Sequence, residues 1–162
     1  MKVRWEIRHH IEPGDIGYVT YLHGILYARE CAYDQTFEAY VAVGLAEFVQ
    51  SFSPDKDRIW LAATNGRIIG SIAIVGHSKT TAQLRWFLVH PDYRGLGIGK
   101  ELLEDAIQFC KERKYKTIFL WTTSELKEAG HLYACFGFKK TEEKTRKIWG
   151  KRVTEERYEL HL

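Results

Sequence analysis

Cysteine is scarce in this chain and badly placed for cross-linking. There are three in 162 residues, at positions 31, 110 and 135, with no Cys-x-x-Cys among them. That excludes a disulfide framework or a zinc ribbon, and no metal site is expected. Reduced thiols and a cytoplasmic setting are the simpler expectation. Cys135 reads as a small buried filler rather than a nucleophile. Long apolar runs are also missing, so no segment reaches the roughly 20 residues that a membrane helix needs. The charged start from Met1 to Arg8 is not a signal peptide. The formal net charge is only +3, which gives no reason to expect nucleic acid as a partner. No repeat or low-complexity segment is present.

What remains is an ordinary globular composition, 45% hydrophobic and 28% charged, long enough for one domain over residues 1–162 with a proper core. Val3 to Ile11 alternates loosely and reads as a strand. Glu12-Pro-Gly-Asp15 reads as a helix start, with Asp15 as N-cap. Ile16, Val19, Leu22, Ile25 and Leu26 follow at helical spacing. A second helix begins at Asp34, carries a stripe from Phe37 to Val49, and ends at Ser53-Pro-Asp55. Strands at 58–64 and 67–75 flank Asn65-Gly66, a strong hairpin signal. A third strand spans 81–89. A helix after Gly97 carries Leu102, Ala106, Ile107 and Cys110 on one side. Thr117 to Thr123 is β-branched and aromatic, and a helix joins it to the strand at 81–89, so the two strands should be parallel. Ser124 can cap the next helix, which holds Leu126, Ala129, Tyr133 and Phe136 and stops at Gly137-Phe138. Strands at 138–145 and 153–160, turning at Gly150, close the chain.

The stretch from Leu84 to Leu103 organises this layout. A strand ends in a turn at Pro91, and then Gly95, Gly97 and Gly99 precede an amphipathic helix. Such a loop passes close to a ligand without Cβ interference. The free N–H groups of the helix's first turn make an anion site. A dinucleotide fingerprint would need glycine where Lys100 stands, and a P-loop would need Ser or Thr where Glu101 stands. A plain turn and helix start is the third reading, and local spacing alone leaves it open.

The Arg94-Gly-Leu-Gly-Ile-Gly99 segment resembles the Arg/Gln-x-x-Gly-x-Gly/Ala signature of the GCN5-related N-acetyltransferases (GNAT). Val89-His-Pro-Asp-Tyr93, Lys100-Glu-Leu-Leu103 and Leu132-Tyr-Ala-Cys-Phe-Gly-Phe138 are similar to that family as well. The motif-bearing part covers residues 81–143. The start of the chain and Trp149-Gly150 also resemble the acetyltransferase half of MarR–GNAT fusion regulators, although no helix-turn-helix segment of that kind is present. The resemblance implies an α/β fold of the GNAT acyl-coenzyme A N-acyltransferase type: a splayed, mixed (α+β) sheet flanked by about four helices. It implies acetyl-coenzyme A as cofactor and a small-molecule or peptide amine as acceptor, with a homodimer as a further expectation.

Residue by residue, the resemblance assigns the pyrophosphate to the backbone of Arg94, Gly95, Leu96, Gly97, Ile98, Gly99 and Lys100, with added charge from the Arg94 side chain. It assigns the pantetheine arm to Leu88 and Val89. Tyr133 matches the family's tyrosine, which gives a proton to the departing thiolate. Leu126 stands where the family often has an asparagine, leaving Thr122, Thr123 or Ser124 to supply that hydrogen bond, with Thr123 favoured. Many members also carry a glutamate base on the strand before the glycine loop. Here Gln83 and Arg85 share a face of that strand, and no carboxylate does. Ordered water, His77, His23 or Glu47 are the remaining routes for the proton. Gln83, Arg85 and His77 are the acceptor-binding candidates, and the Arg85 fork suits a substrate carboxylate. The acceptor pocket should be roofed by the first two helices and the last hairpin; tyrosines and phenylalanines from Tyr18 to Tyr40 read mainly as core, with a few lining that pocket. Lys144, Arg146, Lys147, Lys151 and Arg152 read as a solvated basic turn.

Overall fold

The computed structural model describes residues 2–162. Seven strands form one mixed sheet: β1 (Glu6–Arg8), β2 (Arg58–Thr64), β3 (Arg67–Gly76), β4 (Thr81–Val89), β5 (Thr117–Thr123), β6 (Lys139–Ile148) and β7 (Lys151–His161). Four helices accompany them: α1 (Asp15–Cys31), α2 (Gln35–Gln50), α3 (Ile98–Glu112) and α4 (Lys127–Cys135). The strand order is β1-β2-β3-β4-β5-β7-β6. Only β4 and β5 pair in parallel among the described residues, as their helical connection requires.

Two cores cover the two faces. Leu102, Leu103, Ala106 and Cys110 of α3 pack with Ile72, Ile74, Leu84 and Ile118 on one face, beside Tyr133 of α4. Val19, Leu22 and Leu26 of α1 and Val41, Leu45 and Phe48 of α2 pack with Leu61, Trp86 and Val153 on the other. Both hairpin tips adopt two left-handed residues, Asn65-Gly66 (φ 49° and 75°) and Trp149-Gly150 (φ 54° and 83°). That is the turn geometry which matches strand twist.

Several local expectations are corrected. The first strand is three residues long rather than nine. Asp15 is the first helical residue, not the N-cap; Gly14 holds that place at φ 95°. The Asp15 carboxylate instead takes two hydrogen bonds from Arg8, at 2.6 and 2.8 Å, and one from the Glu12 N–H at 2.7 Å. Ser124 does not cap α4, whose cap position is Leu126. The Ser124 N–H goes to the Thr154 carbonyl.

Two features of β4 shape the middle of the sheet. Its pairing with β5 covers Thr81 to Gln83 against Thr117 to Phe119 and then stops. Beyond that point the strands diverge, while β5 stays paired with β7 along its whole length. The second feature is a bulge: Trp86 has φ 49°, and the register against β3 shifts between Ser71 and Ala73. Ser71 braces it by donating from Oγ to the Trp86 carbonyl at 2.7 Å. The bulge switches faces, so that Ala82 and Leu84 point to the α3 core while Trp86 and Leu88 point to the α1–α2 core.

Leu102 is fully buried where α3 crosses the sheet. Leu102→Ala should lower unfolding free energy by about 3 kcal/mol, the usual cost of a core Leu→Ala cavity. Urea denaturation checks this.

Candidate active site

The divergence of β4 and β5 opens the sheet to a cleft of about 630 Å³, lined by Phe87, Leu88 and Val89 of β4, by Arg94, Gly95, Gly97, Gly99 and Lys100, and by Leu126 to Ala129, His131 and Leu132. Leu26, Tyr27 and Glu30 of α1 form its far wall. Leu96 is exposed and Ile98 is core, so neither side chain lines the cleft. Gly95 (φ 78°) and Gly97 (φ 97°) hold left-handed conformations that only glycine adopts cheaply. The backbone N–H groups of residues 95–100 reach no acceptor among the described residues. Six consecutive donors, at the positive end of a 15-residue helix, fit a phosphate-bearing ligand.

Arg94 is not free to swing into that cradle. Its Nε donates to the Val89 carbonyl at 2.9 Å, and its two terminal nitrogens grip the Glu30 carboxylate at 3.2 and 2.8 Å. The arginine thus clasps α1 to the end of β4 and fixes the cleft's width. The Glu30 partner was not anticipated from sequence.

A smaller cavity of about 130 Å³ adjoins the cleft, and Tyr27, Phe87, Leu126 and Ala129 line both. It is bounded by Gln83 and Arg85 of β4, Thr122 and Thr123 of β5, Tyr133 of α4, Glu155 of β7, and a roof of His23, Tyr33, Phe37, Tyr40 and Trp149. The β6–β7 tip reaches this roof because the Asp34 N–H donates to the Trp149 carbonyl at 3.0 Å. The Trp149 ring lies 5.0 Å from that of Tyr33 and 4.9 Å from that of Phe37. Gly150 permits the approach, since a Cβ there would meet Asp34 Oδ2 at 2.6 Å.

The predicted residues divide accordingly. Tyr133 is buried between Phe87, Phe138 and Tyr158. Burial raises its pKa, so the phenol keeps its proton. Thr123 sits in the small cavity rather than the large cleft, and its hydroxyl accepts from Tyr33 at 3.0 Å. His77 does not join the site. It is exposed at the β3–β4 turn, 5.2 Å from Phe119, and lines neither opening. Glu47 is exposed on α2 and lines neither opening. Of the expected basic turn, Lys144, Arg146, Lys147 and Arg152 are exposed; Lys144 also lies over Trp121, Arg146 pairs with Glu155, and Lys151 pairs with Glu125. Cys135 is exposed rather than buried, 3.7 Å from His131. Burial pushes Cys31 up to about 11 and Cys110 up to about 12, so neither is a thiolate at neutral pH.

Glu155 is the residue that sequence reasoning missed. Strand alternation from Val153, which is buried, places it inward, but it lies in a run of charge that reads as surface. Arg146 Nε donates to its Oε1 at 2.6 Å.

Known proteins resemble this arrangement. The model of the acetyltransferase (GNAT) family matches residues 21–138. An uncharacterized N-acetyltransferase of Methanocaldococcus jannaschii is 31% identical over 94 residues, 54% of this chain and 42% of that protein. The N-acetylaspartate synthetase of Xenopus tropicalis is 35% identical over 81 residues, 49% of this chain and 30% of that protein. The chain therefore spans less than half the length of either relative. A GNAT acetyltransferase of Elizabethkingia anophelis, solved with acetyl-coenzyme A bound, superimposes with a TM-score of 0.69 at 21% identity over 98% of both chains.

His23 provides a pH test. Its Nδ1 donates to the Val19 carbonyl at 2.8 Å, and its Nε2 is buried without a partner. Burial lowers its pKa to about 4 from 6.5. The unfolded chain therefore binds this proton first, and stability present above pH 6.5 is lost as pH falls from 6.5 to 4. The loss attributable to His23 should be about 3 kcal/mol. Urea unfolding of wild type and His23→Leu at pH 7 and pH 4 reads the difference; equal losses in both would contradict it.

Proposed function

We propose that this chain, which belongs to the acetyltransferase (GNAT) family, transfers the acetyl group of acetyl-coenzyme A to a primary amine of a small molecule or amino-acid-like acceptor. The reading is carried by one observation. A cleft ending in six unengaged N–H groups meets a second cavity at a junction beside a buried, protonated tyrosine. Two adjoining compartments of unlike chemistry suit a donor and an acceptor that must meet.

When bound, acetyl-coenzyme A supplies an activated acyl thioester. The N–H groups of residues 95–100 would hold its phosphates, and Leu88 and Val89 would line its pantetheine arm. Gln83 and Arg85 would contact the acceptor. The amine nitrogen would attack the acyl carbon directly, forming the C–N bond as the C–S bond breaks. Tyr133 would hold its proton ready for the departing sulfur. No enclosed carboxylate of β4 takes the amine's proton, which leaves water or another cavity residue for that step.

A cytoplasmic setting is supported by three unpaired cysteines. No helix among the described residues is long and apolar enough to cross a membrane. A homodimer, and a regulatory partnership like that of MarR fusion proteins, rest on family likeness alone. The second reading is a non-catalytic acyl-coenzyme A sensor, favoured by Gln83 and Arg85 standing where a base would serve.

Thiol release from acetyl-coenzyme A against pooled amines, polyamines, amino acids and peptides separates the readings. The enzyme should release thiol with at least one pool, and a sensor should bind coenzyme A and release none. Tyr133→Phe should slow turnover about 100-fold, the lower end for a lost general acid. Equal rates would remove Tyr133 from that role.

A further inference from the structure

The small cavity presents two opposite charges. Arg85 enters from β4 and Glu155 from β7, and they are its only cationic and carboxylate side chains among the described residues. The strands carrying them stand on either side of β5, so the two side chains reach the cavity from opposite flanks.

Arg85 is built to receive an anion. No carboxylate among the described residues pairs with it. One terminal nitrogen donates to the Tyr40 hydroxyl at 3.2 Å, and the guanidinium lies 4.4 Å over the Trp86 ring. A guanidinium has five donors, so most remain available, arranged as a fork that suits a carboxylate. The bulge at Trp86 is what sets the two side chains together. Gly44 of α2 leaves room for them, since a Cβ there would come within 2.9 Å of Trp86 and 3.1 Å of Arg85.

Glu155 is built to receive a cation. It is 8% exposed, so little water reaches it. Arg146 occupies Oε1, while Oε2 takes no hydrogen bond and is not sealed off. The rings of Tyr33, Phe37 and Trp149 line the same cavity.

A cavity of about 130 Å³ with an anion receptor, a cation receptor and an apolar wall matches a small zwitterion. We infer that the acceptor is a free α-amino acid. Its carboxylate pairs with Arg85, its amino group with Glu155, and its side chain lies against the aromatic wall. The inference rests on the N-acetyltransferase reading and narrows its acceptor. A peptide N-terminus would set a neutral amide against Arg85, and a polyamine would set a second cation there.

The test is thiol release by the purified full chain with acetyl-coenzyme A, comparing α-amino acids with their isosteric C-terminal amides. Wild type should favour its best amino acid over the matching amide by at least tenfold in kcat/KM, because a site built for a charged group rejects the analogue lacking it. Arg85→Ala should bring that ratio to within about threefold, and Arg85→Lys should restore part of it. Glu155→Gln should lower kcat/KM for both acid and amide. The wild-type comparison stands without any variant. Wild type that prefers amides, or acetylates polyamines or peptides but no amino acid, overturns the inference and leaves the N-acetyltransferase reading intact. Failure to release thiol with every amine tried overturns both.

Discussion

The molecule depends on a parallel pairing that is allowed to fail. β4 and β5 hold together over three residue pairs and then part. Buried backbone groups left without partners are costly, so such an opening persists only where something else meets them. β7 stays bonded to β5 throughout, which keeps that flank rigid. On the other flank, Arg94 ties the end of β4 to Glu30 of α1. The gap is thus propped from both sides, and a bound ligand can supply the edge that the sheet lacks.

The bulge at Trp86 adds direction to the gap. By switching the faces of β4, it sets Trp86 beside Arg85 beneath α1 and α2 while Phe87 and Val89 turn towards α3 and α4. One strand therefore serves two compartments, the glycine-lined cleft and the smaller charged cavity. The β6–β7 tip completes the second compartment through Trp149. A strand without the bulge would have kept one alternation and could not line both as it does.

Much of this was legible in the chain. The glycine loop, the helix behind it and the parallel strand at 117–123 follow from spacing and turn chemistry. Asn65-Gly66 read correctly because its left-handed pair is a local property. What failed was decided at longer range. The length over which two continuous apolar strands stay paired leaves no mark in either. A left-handed tryptophan has no sequence signal, since β-branched and bulky residues avoid that region. Asp15 lost its capping role to an arginine seven residues away. Glu155 hid in a charged hairpin because burial there comes from packing under α1 and α2, while the residues around it stay wet.

The N–H groups of residues 95–100, unpaired among the described residues, stand at the mouth of the splay where an anionic ligand would meet them. Amide hydrogen exchange with and without coenzyme A reads those groups directly. Exchange across residues 95–100 should slow on binding, together with exchange at Leu88 and Val89. Coenzyme A that binds and leaves exchange at 95–100 unchanged would contradict this.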